Sequence, residues 1–305
     1  MAHDAALTEP YEALCTALFA GLPRKDQRRR GAEYVHGLLH TPGRKSIRNI
    51  AGHANEQRLH HFVSDSTWDW TPVRRALRQH LLRVAPPQAW VIRPLVVAKS
   101  RRARPAVGVW AAAPGLAVPV GWRLHRPGDC LGDAYLELFD GHHDRPVVVD
   151  ARGADATRLV RRLRAAGAPV LARIDPDTPV RAGARTPGHG ERPVPAARLF
   201  GAGGGPVAVC PARLAGPGRE DELTLLGVRA RGPWPDEVWL TDLTGHPPAH
   251  LVRLRRLVDQ VDADLAAIGD RVGLRDYSGR SYAGWHRHVT LASAAHALVA
   301  LRQAG

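Results

Sequence analysis

The sequence predicts a mixed α/β protein: a helical segment over residues 1–88, then a mixed sheet with flanking helices over 89–305. Three observations carry this. Residues 8–88 repeat apolar side chains at three- and four-residue spacing, residues 89–174 break into short β-branched runs, and residues 250–301 return to helical spacing.

In the first segment, TEPYEALCTALFAGL places Tyr11, Leu14, Leu18 and Leu22 on one face, and PRKDQRRRGAEYVHGLL adds a basic stretch before a second apolar stripe. Thr41, Pro42 and Gly43 form a turn, after which short helices continue. Ser46 is placed to cap one of them. In SDSTWDWTPVRRAL, Ser and Thr open a helix with Pro72 in its first turn, and Trp68 and Trp70 read as packing residues. Arg24, Lys25, Arg28, Arg29, Arg30, Arg44, Lys45 and Arg48 cluster here. Such a cluster suits phosphate contacts and equally suits the solvated face of an ordinary bundle.

Strands begin at AWVIRPLVVA and continue with AVGVWAAA, LAVPVGWRLH and RPVVVDARG. DATRLVRRLRAAGA is a helix with Leu159, Leu163 and Ala166 inward, and PVLARID is another strand. Residues 177–220, rich in Pro, Gly, Arg and Ala, read as an irregular connection; GAGGGP lacks both the strand-to-helix setting and the Lys of a phosphate-binding loop. LTLLGVRARG and EVWLTDLTG then read as strands. A helix opens after Pro247 and Pro248 with Leu254, Leu257, Val258, Val261, Leu265 and Ile268 in one stripe. Gly269 and Gly273 break it, and a second helix from Tyr282 turns Trp285, Val289, Ala292 and Leu298 inward to form a hairpin with the first.

The formal charge of +14 implies an acidic partner, nucleic acid first, because a net positive field concentrates polyanions. A high-GC codon bias would also enrich Arg without selection for binding. Cys15, Cys130 and Cys210 show no metal spacing and read as thiols of a reducing cytoplasm. His286 and His288 stand two apart on different helix faces, a poor metal pair. MAHDAALTEP lacks the features of a signal peptide, and no apolar run is long enough for a membrane span.

Several of these stretches carry a resemblance. GLRDYSGRSYAGWHRHVTLASAAHAL, which contains Arg280, looks like the C-terminal signature of DDE transposases of bacterial insertion sequences, in the IS-seven-hundred-one and IS-four-like group. LPRKDQRRRGAEYVHGLL, PGRKSIRNIA and LHHFVSDSTWDW resemble the N-terminal DNA-binding region of the same proteins. The resemblance implies an RNase H-like core, which the order of strands and helices also suggests, and DNA as the partner, bound through the basic residues above and Arg280. It further implies three carboxylates that hold two Mg²⁺ ions for strand cleavage and transfer.

VVVDARGADATRLVRRLRAAGAPVLARIDPDT resembles the family's strand, acid, turn and helix, which places Asp150 at the second acid. Asp262 falls where the family has Glu, with Asp264 beside it. The first acid is missing: Arg93 and Pro94 stand there, and no Asp or Glu occurs between Asp69 and Asp129. A guanidinium about 4 Å from a divalent ion would be repelled by roughly 8 kcal/mol, twice the unit-charge figure at an effective dielectric near 20. The expectation is a degenerate or domesticated transposase-like protein that binds DNA without cleaving it and carries no metal. Two alternatives stay open: an enzyme of small-molecule metabolism that reuses the cleft around Arg93, Asp150 and Asp262, or a remnant of a mobile element without function. A homodimer is also left open.

Overall fold

A computed structural model describes residues 2–97, 104–125, 128–139, 143–183, 192–202, 205–215, 222–230 and 232–304. The chain separates into two compact units: Met1–Pro87, Pro94–Arg126 and Gln260–Gly305 form one, and Gln88–Arg93 with Pro127–Asp259 the other. The helical segment expected over 1–88 is thus grouped with later parts of the chain.

The strands are β1 (Ala89–Val97), β2 (Arg104–Ala113), β3 (Leu116–Leu124), β4 (Val147–Asp150), β5 (Val170–Ile174), β6 (Pro179–Ala182), β7 (Val194–Pro195), β8 (Val207–Leu214), β9 (Leu223–Val228) and β10 (Glu237–Thr241). They run in the order β3-β2-β1-β4-β5-β10-β9-β8-β6-β7. Strands β1, β4 and β5 are mutually parallel and β2 and β3 form an antiparallel pair, the RNase H-like arrangement that the sequence predicts. β10 pairs with β5 in the antiparallel sense, so β6–β10 extend the sheet. Part of this extension occupies the stretch 177–220 that was expected to be irregular. Its glycines and prolines read as turns, yet pairing with β9 and β6 holds β8 extended although most of its side chains are only half-buried. Residues 184–191, 203–204 and 216–220 of that stretch lie outside the described residues.

In the first unit, helices α1 (Ala2–Phe19), α2 (Lys25–His40), α3 (Ile47–His60) and α4 (Thr71–Val84) surround the N-terminal core. Ser46 caps α3 as expected, its hydroxyl accepting from the Asn49 amide at 3.2 Å. Helix α3 kinks at Gly52, whose φ of 60° suits glycine. The start of α4 differs from expectation: Asp69, rather than Ser or Thr, accepts from the Thr71 amide at 2.9 Å. Trp68 packs as predicted, stacked on Phe62 with its indole N–H donating to the Phe62 carbonyl.

The last helix, here α8 (Tyr282–Ala304; α5, α6 and α7 follow below), is buried without a break from Gly284 to Leu298 rather than along one stripe. A helix enclosed on every side must pair most of the polar side chains it carries. Arg74 of α4 donates to the Thr290 hydroxyl at 2.8 Å, the Trp122 carbonyl at 2.9 Å and His286 Nδ1 at 3.0 Å. Arg287 donates to the Trp68 and Val63 carbonyls. His288 Nε2 faces the Gly273 carbonyl at 2.8 Å and must donate to it, and Nδ1 stands 2.9 Å from the Tyr34 hydroxyl. His286 and His288 are core residues with separate partners, as their spacing suggests.

In the second unit, the short helix α5 (Leu131–Leu136), which has no counterpart in the sequence reading, packs Gly132 against Leu159 and Leu163 of α6 (Ala156–Ala165). Val147–Val149, Val170–Ala172 and Val238–Leu240 form the buried centre of this unit's strands. Helix α7 (Pro248–Asp264) buries the predicted stripe and runs into a wider turn over Leu265–Gly269. From Gln260 onward the chain belongs to the first unit, where Asp264, at the end of α7, accepts from the Ala117 amide at 2.6 Å and from Gln260 at 3.0 Å. Among the described residues no helix is long and apolar enough to cross a membrane.

Burial pushes the His296 ring down to about 4, and burial with the neighbouring Arg74 charge pushes His286 down to about 3. Both rings stay neutral in the folded chain while the unfolded chain protonates near 6.5. The unfolded state therefore binds more protons below that pH, and stability falls as pH drops from about 6.5 towards about 4. Each ring contributes up to roughly 1.4 kcal/mol per pH unit. Asp264, raised by burial, acts in the opposite sense at the acid end of this window. Urea denaturation across this range should show the loss, and His296→Gln should make the slope shallower by about one proton.

Candidate functional site

The turn that follows β4 is built tightly. Asp150 ends the strand, Gly153 adopts a φ of 71°, its amide donates to Asp175 at 2.8 Å, and Asp155 caps α6 by accepting from the Arg158 amide at 2.9 Å. This is the strand, acid, turn and helix order anticipated around Asp150.

The carboxylate of Asp150 is occupied by guanidinium groups. Arg152 Nε donates to Oδ1 at 2.9 Å and Nη2 to Oδ2 at 2.6 Å, and Arg173 Nη1 stands 3.8 Å from Oδ2. Burial raises the carboxyl of Asp150, but the hydrogen bonds and charge of Arg152, with Arg173 behind it, outweigh that and hold it below the ordinary carboxylate range. Arg173 pairs in register with Asp150 across β4 and β5. On the other side, Ile92 pairs with Val149, so Arg93 and Asp150 are the next residues along β1 and β4. Arg93 is half-buried.

The charged row continues on β10. Arg173 Nη2 lies 3.7 Å from Glu237, which also accepts from Arg255 at 3.0 Å and from the Trp239 indole N–H at 2.9 Å. Arg152, Arg173, Glu237 and Arg255 were not singled out from sequence; the first three stand near strand ends, whereas Arg255 lies within α7. Asp262, half-buried on α7, and Asp264 belong to the first unit, whereas Arg93 and Asp150 belong to the second. Among the described residues no group of three or more His, Cys, Asp or Glu is arranged to hold a metal ion.

In the first unit, Arg24, Lys25, Arg29, Arg44, Arg48 and Arg280 are exposed, and Arg28 and Arg30 are half-buried. Glu33 accepts from Arg30 at 2.6 Å and stands 3.5 Å from Arg29. Lys45 departs from the expected phosphate-contacting role: it is 4% exposed and its ammonium donates to the Thr41 carbonyl. Burial lowers its basicity. Its stem lies where a side chain on Gly273 would have to go, so the loop geometry turns this lysine inward. Thr41, Arg44, Lys45, Asp270, Arg271 and Asp276 line a cleft of about 570 Å³.

Replacing Glu237 by Ala strands Arg255 and the Trp239 indole together and should lower unfolding stability by about 2 kcal/mol, whereas Gln, which keeps an acceptor, should recover part of that loss in thermal melts.

No curated protein matches the chain. The family described as DDE superfamily endonuclease matches residues 17–115, a stretch that includes Arg93 but neither Asp150 nor Asp262. Over that stretch, together with its RNase H-like strand order, the chain is similar to DDE-type nucleases of the transposase kind.

Proposed function

We propose that this protein is a transposase-like DNA-binding protein, of the IS-seven-hundred-one and IS-four-like group, that has lost metal-dependent strand cleavage. The observation that carries the reading is the state of Asp150: both of its oxygens are held by guanidinium N–H groups, and an arginine stands where the first acid is expected. A divalent ion needs several hard oxygen ligands whose charge is not already neutralised. The residues around Asp150 do not fit that need. Within the resembled family, Arg93 has replaced the first carboxylate, and Asp150 and Asp262 are what remains of the triad.

DNA is the partner that the basic composition favours. Arg24, Lys25, Arg29, Arg44, Arg48 and Arg280 have the exposure that phosphate contacts require, while Lys45 positions its loop. The cleft beside Arg44 is lined by Arg44 and Arg271 and also by Asp270 and Asp276. The DNA-binding role is assigned to residues 1–88 and the RNase H-like role to 89–305. The cytoplasm is the compartment in which such a protein would meet DNA.

Affinity for duplex DNA should fall steeply with salt, the logarithmic slope shrinking by about one for each phosphate-contacting arginine removed, as in Arg44→Ala or Arg48→Ala. A flat salt response overturns the reading. In the same preparations neither Mg²⁺ nor Mn²⁺ should support nicking, with Arg93→Asp as the control; nicking by the native chain would refute the loss of cleavage.

A further inference from the structure

The side chains around Asp150 carry a surplus of donors. Arg152, Arg173 and Arg255 bring roughly fifteen N–H donors against roughly eight lone-pair sites on Asp150 and Glu237. Nε of Arg173 and Nε of Arg255 are buried without an acceptor among the described residues. Arg152 keeps 47% of its side chain exposed while it holds Asp150, so one edge of the cluster faces water. The row stands at the carboxyl ends of the parallel strands β4 and β5, the edge at which open α/β sheets take their ligands.

We infer that this cluster is an oxyanion site in which guanidinium groups hold a phosphate without any metal, and in which Asp150 is the internal counter-ion that the phosphate displaces. In the resembled family, carboxylates would hold divalent cations that supply the positive charge. Here the cations are covalent parts of the chain. Arg152 and Arg173 offer N–H groups in the planar fork that matches two phosphate oxygens, and Arg93, next along β1, adds to the positive field. The ligand chemistry is a phosphate oxyanion, either on a DNA backbone or on a small phosphorylated molecule. The inference rests on the reading above only in taking phosphates as this protein's ligands.

The test turns on the sign of one substitution. In a metal site, Asp150→Asn removes a ligand and weakens phosphate binding. In a guanidinium site it frees Arg152 and Arg173 from their competitor and strengthens it. Calorimetric titration of the full chain with inorganic phosphate in the presence of a chelator should show Asp150→Asn binding about tenfold more tightly than the native chain, the weight of one charge-assisted hydrogen bond. Arg152→Ala and Arg173→Lys should each bind about tenfold more weakly, and added Mg²⁺ should change none of these values. Arg152 is exposed enough for its variant to fold, so it decides the matter if the Arg173 variant does not. Unchanged or weaker binding by Asp150→Asn, unchanged binding by Arg152→Ala, or no binding by either the native chain or Asp150→Asn overturns the inference.

A second arm titrates a short duplex under the same conditions. A gain for Asp150→Asn with phosphate and with duplex identifies the DNA backbone as the source, and a gain with phosphate alone identifies a small phosphorylated ligand. Failure of all duplex binding with phosphate binding intact sinks the DNA reading and leaves the oxyanion site standing; salt-dependent duplex binding with no Asp150→Asn gain for either phosphate or duplex does the reverse.

Discussion

The buried guanidinium of Arg74 is the interaction on which the first unit depends. It is 7% exposed and is held by the Thr290 hydroxyl, the Trp122 carbonyl and the His286 ring and carbonyl. Burial alone brings its basicity down to about 9. An unpaired charge in that position would cost several kcal/mol, so the acceptors must be in place before the helix can be enclosed. They come from α8 and β3, which fixes the rotation of α8 about its axis. That rotation in turn delivers His288 to Tyr34, Arg287 to the Val63 and Trp68 carbonyls, and Ser293 to the Trp122 indole.

The second unit solves the opposite electrostatic problem. In the first unit one cation is dispersed over neutral acceptors; around Asp150 and Glu237, several guanidiniums share two carboxylates. Hydrogen bonds from a fixed guanidinium fork are strong enough to keep Asp150 ionised despite burial. The same fork blocks the oxygens that a divalent ion would need. The same arrangement of side chains makes this edge positive and rich in N–H donors. The strand register determines it, because Arg93, Asp150 and Arg173 come from three neighbouring strands.

The exposed arginines of the N-terminal helices belong to a different physical regime. They sit in high dielectric, where pairing such as that of Arg29 with Glu33 contributes little to stability. Their effect is long-ranged and screened by salt, which suits attraction of a polyanion rather than maintenance of the fold. Lys45 shows how local geometry overrides this pattern. The approach of its stem to Gly273 and the bond from its backbone amide to Asp276 commit it to the interior, although its neighbours Arg44 and Arg48 face solvent.

Periodicity in the sequence determined the helices of the N-terminal segment, the strands β1–β5 and the helices α6, α7 and α8, because apolar spacing reports directly which side chains need burial. It also determined the position of Asp150 at the end of a strand and the want of any acid between Asp69 and Asp129, facts that need no coordinates. Only the tertiary structure decided that α8 is enclosed on all sides, that a stretch dense in Gly and Pro contributes β8, and that Lys45 turns inward. It alone brought Arg152, Arg173, Glu237 and Arg255 into one charged row. Those outcomes depend on pairing between segments far apart in the chain, and a one-dimensional pattern of polarity does not encode which strand a residue will meet.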